Sequence, residues 1–376
     1  MQLQEINQLD LFSGIGGFHL GFERAGYKVN SYFSEIDKHA VAVYKNQFKD
    51  STYVGSVTDV RGEDLPRIDL ITFGSPCQDF SLAGKRKGMG GERSSLITEA
   101  IRLVHECRPR VFIWENVKGT FSSNDGADFW AIIQAFANIG GYRLEWQLLN
   151  TSWFLPQNRE RIYLVGYSTT PRGDWRGVFP IGEEPRENTR LSGQQGNACT
   201  LTTRYGTAYT NGSYVTERKQ YAQEEIGDYR SDEGWRPRKD NNCPTLAARA
   251  REDGSGQPLL KVKSATSKGY EVATEGDSIN LSQPNSETRR GRVGKGKAQT
   301  LETSCNQAAV QDYRIRRLTP IECERLQGFP DNHTEYGNYD GEVKKMSNTQ
   351  RYKQCGNAVT VDVVQAIANK LHPLFE

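Results

Sequence analysis

With 376 residues, 36% of them hydrophobic and 10% aromatic, the chain can hold two packed domains, or one large domain carrying an insertion. Its 48 basic and 46 acidic residues leave a net charge of only +2, so bulk charge names no polyanionic partner. Seven cysteines without a Cys-x-x-Cys pair and five scattered histidines argue against a disulfide framework and against a metal centre, and no run of about 18 apolar residues offers a membrane span.

The opening MQLQEINQLDLFSG has no basic segment leading into an apolar one, so a reducing cytoplasm is the expected setting. QLDLF (8–12) reads as a buried strand and GGFHLGFERAGY as a helix with Phe18, Phe22 and Ala25 on one side. KVNSYFSE (28–35) is a second strand, and DKHAVAVYKNQF a helix capped by Asp37. IDLITF (68–73) is a third strand. RSSLITEAIRLVHEC is a helix stopped by Arg108-Pro109. RVFIWENV (110–117) is a fourth strand, a helix follows near 127–139, and two more strands lie at 142–150 and 160–167. Continuous apolar strands separated by helices predict a doubly wound, Rossmann-like α/β domain with a parallel sheet covered on both faces.

From about residue 168 to 313 the chain turns rich in Gly, Arg, Asn, Thr and Ser, yet keeps Trp175, Trp235 and several tyrosines. That is long and aromatic for a linker, so we read 168–313 as an inserted, irregular second domain. Residues 1–167 and 314–376 would then be the two parts of the first domain, with LTPIECERLQGFP and AVTVDVVQAIANKL as returning helices. Thr-Leu pairs recur in the insert at 200–201, 245–246 and 300–301, either as chance or as similar strand-loop units.

The chemistry collects at the ends of the predicted strands. DLFSGIGGFHLG (10–21) is a glycine loop between the first strand and first helix, where backbone amides can approach a ligand. A nicotinamide fingerprint fails there, because Gly14-x-Gly16 is followed by His19 where a third glycine is needed. Glu35 ends the second strand, where a carboxylate can accept from ribose hydroxyls, and Asp59 can meet an adenine amino group. Together they favour an adenosine cofactor without a pyrophosphate; a tight turn is the plainer alternative. Cys77, in Ser75-Pro76-Cys77-Gln78 at the end of the third strand, has Lys85, Arg86 and Lys87 nearby to favour a thiolate. Gly84, Gly88, Gly90 and Gly91 would let that loop close over something. Glu115 ends the fourth strand in WENV, where burial would suit a proton donor, and Asn116 beside it can equally be a turn cap. Arg159 and Arg161 are two apart and would face one side of a strand, as a salt-bridged edge or as ligands.

DLFSGIGGF, GSPCQDFSLAG, ENV, QNRERIYLVG, RLTPIECERLQGFP and QCGNAV occur in one order from residue 10 to about 360. In this the chain resembles the C5-cytosine DNA methyltransferases of bacterial and phage type. The resemblance implies S-adenosylmethionine as cofactor, with Phe12 against the adenine and Gly14, Gly16 and Gly17 beside the methionine. Glu35 would hold the ribose, Asp59 the adenine amine, and the Asn357 region would close the pocket. Cys77 would be the nucleophile, Glu115 its partner at the base, and Arg161, with Arg159 close by, would contact the flipped cytosine or its phosphates. The insert would be the target recognition domain acting on double-stranded DNA, with one or more recognition units. A cognate restriction endonuclease, a phage or a solitary role are all compatible with this family. No metal or membrane is called for, and a single active site works in a monomer.

From 285 to 317 eight Lys or Arg stand against three acids, which in such an enzyme would touch phosphates. Relatives acting on tRNA share the motif set, but a long insert with recurring Thr-Leu pairs favours DNA. A silent DNA-binding scaffold is opposed by intact Cys77, Glu115 and Arg161, and a nicotinamide oxidoreductase by His19.

Overall fold

The computed structural model describes residues 3–74, 95–121, 127–168, 175, 177–182, 225–230, 234–237, 258–283, 286, 288–311 and 314–376. They fall into two compact units, Met1–Leu155 with Arg159–Pro185 and Glu324–Glu376, and Pro156–Asn158 with Arg186–Cys323.

The first unit is built on β1 (Gln4–Leu11), α1 (Gly17–Arg24), β2 (Tyr27–Ser34), α2 (Lys38–Gln47), β3 (Thr52–Tyr53), β4 (Leu70–Gly74), α3 (Ser95–Cys107), β5 (Val111–Val117), α4 (Ala127–Ala137), β6 (Arg143–Asn150) and β7 (Glu160–Tyr167). Among the described residues they make a seven-stranded sheet in the order β3-β2-β1-β4-β5-β7-β6. Neighbouring residues on a strand feed opposite faces. Leu70 and Val111 join Phe18, Phe22, Ile367 and Leu371 in one core, while Ile71 and Phe112 join Leu103, Trp114 and Phe136 in the other. That two-sided burial explains why the strands read as unbroken apolar runs. Phe18, Phe22 and Ala25 are buried on one side of α1, and the Asp37 side chain accepts from the His39 and Ala40 amides as the cap of α2.

One expectation is corrected. The sheet is not wholly parallel, because β7 pairs antiparallel with both β5 and β6. The cause is chain length: β6 ends at Asn150 and β7 starts at Glu160, too short a connection for the dozen or more residues a parallel crossover needs. β7 therefore turns back and inserts between β5 and β6, bringing its N-terminal end beside the C-terminal end of β5, with Val117 opposite Arg161.

Trp175, Val178 and Ile181, from the stretch expected to open the insert, pack on the first unit's core, and Trp175 Nε1 donates to the Lys370 carbonyl at 3.2 Å. The second unit carries β8 (Glu225–Arg230), β9 (Gly234–Pro237), β10 (Pro258–Lys263), β11 (Tyr270–Ala273), β12 (Ser278–Asn280), β13 (Val293–Gly294), β14 (Gln307–Gln311) and β15 (Arg314–Arg317). These pair antiparallel as β11-β10-β8-β9 and β13-β12-β14-β15 over a small core of Leu260, Val262, Ala273, Ile279 and Val310. Strands of two to six residues leave too little alternation to read in sequence, which is why this stretch looked irregular. Of the Thr-Leu pairs, 300–301 is described and the other two lie outside the described residues. Leu301 is buried, and Thr300 Oγ1 donates to the Asn158 carbonyl at 2.8 Å.

The chain continues through α5 (Pro320–Leu326), the hairpin β16 (Tyr336–Tyr339) and β17 (Glu342–Lys345), α6 (Asn348–Asn357) and α7 (Val361–Phe375). Val363, Val364, Ile367 and Leu371 of α7 complete the core shared with α1. Among the described residues no helix is long and apolar enough to cross a membrane.

Candidate active site

The glycine loop follows β1 directly. Phe12 and Gly14 take left-handed backbone angles, φ 52° and 55°, and Gly16 has φ 83°. A side chain on Gly16 would run into the Phe48 ring at 2.3 Å, and one on Gly17 into Val359 Cγ2 at 2.6 Å, so both positions need glycine for close approach. Gly14 differs, with open space in front of it. Ser13 is buried with an Oγ that no described residue hydrogen-bonds, an orphan that a polar ligand group would satisfy.

Glu35, at the end of β2, does more than face a ligand. Its Oε2 accepts from the Gly14 amide at 2.9 Å, and its Oε1 from the Ile36 and Asp37 amides at 2.8 and 2.9 Å. It thereby ties the loop after β1 to the loop after β2, and a carboxylate's remaining lone pairs stay available. Asp59 is exposed and accepts from the Thr58 hydroxyl at 3.2 Å. Asn357 is the exposed last residue of α6. Its neighbour Val359 is the residue that abuts Gly17. Lys353 on α6 also pairs with Asp37 at 2.6 Å, so α6 is fastened to the Glu35 loop.

Three strands along from β2, Glu115 sits on β5 in register with Gly74, the last residue of β4. Its Oε1 lies 3.0 Å from Arg161 Nε, a diagonal pair across the antiparallel β5–β7 ladder, with the two side chains only 10% and 15% exposed. The N–H vector misses the carboxylate: among the described residues Glu115 Oε1 receives no hydrogen bond of good geometry, so it can engage another polar group. Asn116 is buried, and its Oδ1 accepts from the Val117 amide at 2.7 Å and the Thr120 hydroxyl at 3.2 Å, which gives it a turn-capping role. Cys77, three residues beyond Gly74, lies outside the described residues, as does the loop 78–91.

Arg159 is placed differently from Arg161. It precedes β7 and is buried, and its Nη1 and Nη2 donate to the Gly356 and Ala358 carbonyls at 3.3 and 2.8 Å.

A family model described as C-5 cytosine-specific DNA methylase matches residues 6–372. This chain belongs to that family. It is a DNA cytosine-5-methyltransferase, with DNA as its substrate. Among curated methylases it is similar to the Type II methyltransferase M1.ScrFI of Lactococcus lactis subsp. cremoris, 31% identical over 98% of this chain and 78% of that protein. It is also similar to the Type II methyltransferase M.Bsp6I of Bacillus sp. (strain RFL6), 29% identical over 96% of this chain and 97% of that one. Among solved structures, a putative DNA modification methyltransferase encoded within an Escherichia coli prophage superposes with a TM-score of 0.58 at 22% identity, covering 98% and 99% of the two chains, which establishes the methylase fold.

Two groups supporting the methylase site were not singled out by sequence. His333 is buried, and its Nε2 donates to the Ile15 carbonyl of the glycine loop at 2.9 Å. Glu324 is fully buried and accepts from Arg351 Nη2 at 2.9 Å and from the Asn332 and Thr334 amides at 2.8 and 2.9 Å. Both lie in the returning segment: Glu324 is marked only by its charge on a helix, and His333, in the turn 331–335, carries no pattern that marks it. Cys107 illustrates the opposite case: burial pushes its thiol up to about 11, so it is a packing residue with little thiolate.

Proposed function

We propose that the chain methylates C5 of a cytosine flipped out of a specific duplex DNA sequence, with S-adenosylmethionine as donor and Cys77 as nucleophile. The observation that carries this is the Glu115–Arg161 pair at the strand ends, in register with the strand that leads into Cys77. Inside a duplex the ring carbon is shielded, so the base has to leave the stack. The Cys77 thiolate adds to C6 while Glu115 delivers a proton to N3, which makes C5 electron-rich. Arg161 holds the Glu115 carboxyl and faces the base. After methyl transfer water takes the C5 proton, the thiolate departs from C6 and the N3 proton returns to Glu115, which restores the aromatic ring.

S-adenosylmethionine, when bound, supplies an electrophilic methyl group on its sulfonium. The residues present fit it: open space at Gly14, the orphaned Ser13 hydroxyl and the Glu35 carboxylate lie on one loop system. Phe12 would flank the adenine, Gly16 and Gly17 allow the close approach, and Asp59 and Asn357 would reach the adenine amine and close the pocket. The target recognition domain, expected over 168–313, would be the second unit, with Arg186–Cys323 as its main stretch, because Trp175, Val178 and Ile181 belong to the core of the first unit, which would be the catalytic domain. We read the protein as a monomer, since a single active site needs no partner subunit, and its setting as restriction-modification, as the names of its Type II relatives suggest.

The test is a duplex carrying 5-fluorocytosine at the target. The wild-type protein with S-adenosylmethionine should form a covalent adduct stable to denaturation and mapping to Cys77, whereas Cys77→Ser should bind the cofactor but form none. An adduct that survives in Cys77→Ser removes this mechanism.

A further inference from the structure

Arg159 invites a different role from that of Arg161. It is 3% exposed, too deep to reach a DNA phosphate. Its main chain is fixed to the end of β6: the Arg159 amide donates to Asn150 Oδ1 at 3.2 Å, and the Thr151 amide donates to the Arg159 carbonyl at 2.9 Å. Its guanidinium then takes the carbonyls on either side of Asn357, those of Gly356 and Ala358, at 3.3 and 2.8 Å. These carbonyls belong to the end of α6, where helical groups lack intrahelical partners. One residue further on, Val359 lies against Gly17 at the start of α1. Thr151 and Gln327 brace the same segment, with Thr360 sharing a hydroxyl contact of 2.8 Å with Thr151 and Gln327 Nε2 donating to the Cys355 carbonyl at 2.9 Å.

We infer that Arg159 is a positioning residue that sets the backbone of 356–359, and through it Asn357, against the glycine loop, and that it touches neither the base nor the DNA. The planar guanidinium satisfies two carbonyls at once, which a lysine ammonium on a flexible stem cannot reproduce. Arg159 thus links the strand end that carries Arg161 to the segment that would close the cofactor pocket. The inference rests on the cofactor reading above.

The experiment compares wild type, Arg159→Lys, Arg159→Gln and Arg161→Gln as full-length proteins. S-adenosylmethionine affinity is measured by calorimetry, and duplex DNA affinity across a salt series. Arg159→Lys should weaken the cofactor about tenfold, the equivalent of one lost charge-assisted hydrogen bond, with Arg159→Gln weaker still. KM for the cofactor should rise while kcat at saturating cofactor holds within about threefold, and the salt slope of DNA binding should match wild type. Arg161→Gln should instead lower kcat with cofactor affinity retained. If Arg159→Gln does not fold, Arg159→Lys decides. Unchanged cofactor affinity in Arg159→Lys, or a salt slope shallower by about 0.9, overturns the inference in favour of another role or of a phosphate contact. Wild-type protein that binds no S-adenosylmethionine at all would sink the cofactor reading itself.

Discussion

At the scale of single residues, Asp10 carries an ionisable group that the fold keeps out of water. It lies on β1 at full burial, where Thr72 Oγ1 donates to its Oδ1 at 2.8 Å and Gln8 Nε2 donates to Thr72 at 2.7 Å. Burial, reinforced by the charge of Glu35, holds its carboxyl well above the usual carboxylate range. The folded protein therefore keeps a proton that the unfolded chain releases above about pH 4, so stability falls as pH rises through that region toward the raised folded value. Asp10→Asn keeps the shape and the acceptor but has no proton to lose. Urea unfolding should find the variant at least as stable as wild type at pH 8, and its advantage should be smaller at pH 5. Asp10→Ala, which strands the Thr72 hydroxyl beside a cavity, should cost about 2–3 kcal/mol at either pH. An Asp10→Asn protein whose stability relative to wild type is the same at both pH values would mean that Asp10 is ionised in the fold.

Among elements, the crossing of α1 over the returning chain is a close contact made by two glycines. Gly17 and Gly21 are one turn apart on α1, and a Cβ on each would meet Val359 Cγ2 at 2.6 Å and Val364 Cγ1 at 2.4 Å. Gly17→Ala should therefore destabilise by about 1–3 kcal/mol through overpacking. Gly17→Ala with Val359→Ala should lose less than the sum of the two singles, because the clashing methyl is gone. Strict additivity in denaturant titrations would show that the contact is softer than its distance. The sequence carried this crossing only as two glycines. It did carry the strands of the first sheet, most plainly β4, β5 and β7, where burial on both faces leaves unbroken apolar runs. It left the direction of β7 unread, although the ten-step gap from Asn150 to Glu160 already excluded a parallel crossover. The hairpin at 336–345 had a signal in Asp340-Gly341, both at positive φ as a tight two-residue turn requires. Helix α6 is mostly polar and was invisible to hydrophobic periodicity, yet Ser347 caps it by accepting from the Gln350 amide. At the site, motif order gave residue types. What it could not give were partners far away in the chain, such as those of Arg159 at 356 and 358, because one sequence records donors and acceptors without pairing them.

Across the whole molecule, the fold is closed by its returning segment, and His333 is where that closure reaches the glycine loop. Its ring donates to the Ile15 carbonyl from 318 residues away and packs on Phe329 with centroids 4.6 Å apart, while Gln47 Nε2 donates to its carbonyl at 2.6 Å. Burial pushes His333 down to about 4, against the hydrogen bond to Ile15 and the charge of Glu324, which favour the proton. The ring is therefore neutral in the folded protein at pH 7. In the unfolded chain it titrates near 6.5, so between about pH 6.5 and 4 the unfolded state binds a proton that the folded state refuses, and stability falls with pH across that window. From pH 7 to pH 5 this single ring should remove about 2 kcal/mol. His333→Gln retains an N–H for the Ile15 carbonyl without a titrating ring, so the difference in unfolding free energy between wild type and variant should shift by that amount in the variant's favour between the two pH values. Because the folded ring stays neutral down to about pH 4, it should leave the support of the loop carrying Ser13, Gly14 and Gly16, and with it the cofactor affinity of folded wild type, unchanged by its own titration from pH 7 to pH 5. A wild type and variant that lose stability in parallel on acidification would show that the ring is reached by solvent and protonated in place, and that the closure depends on other contacts.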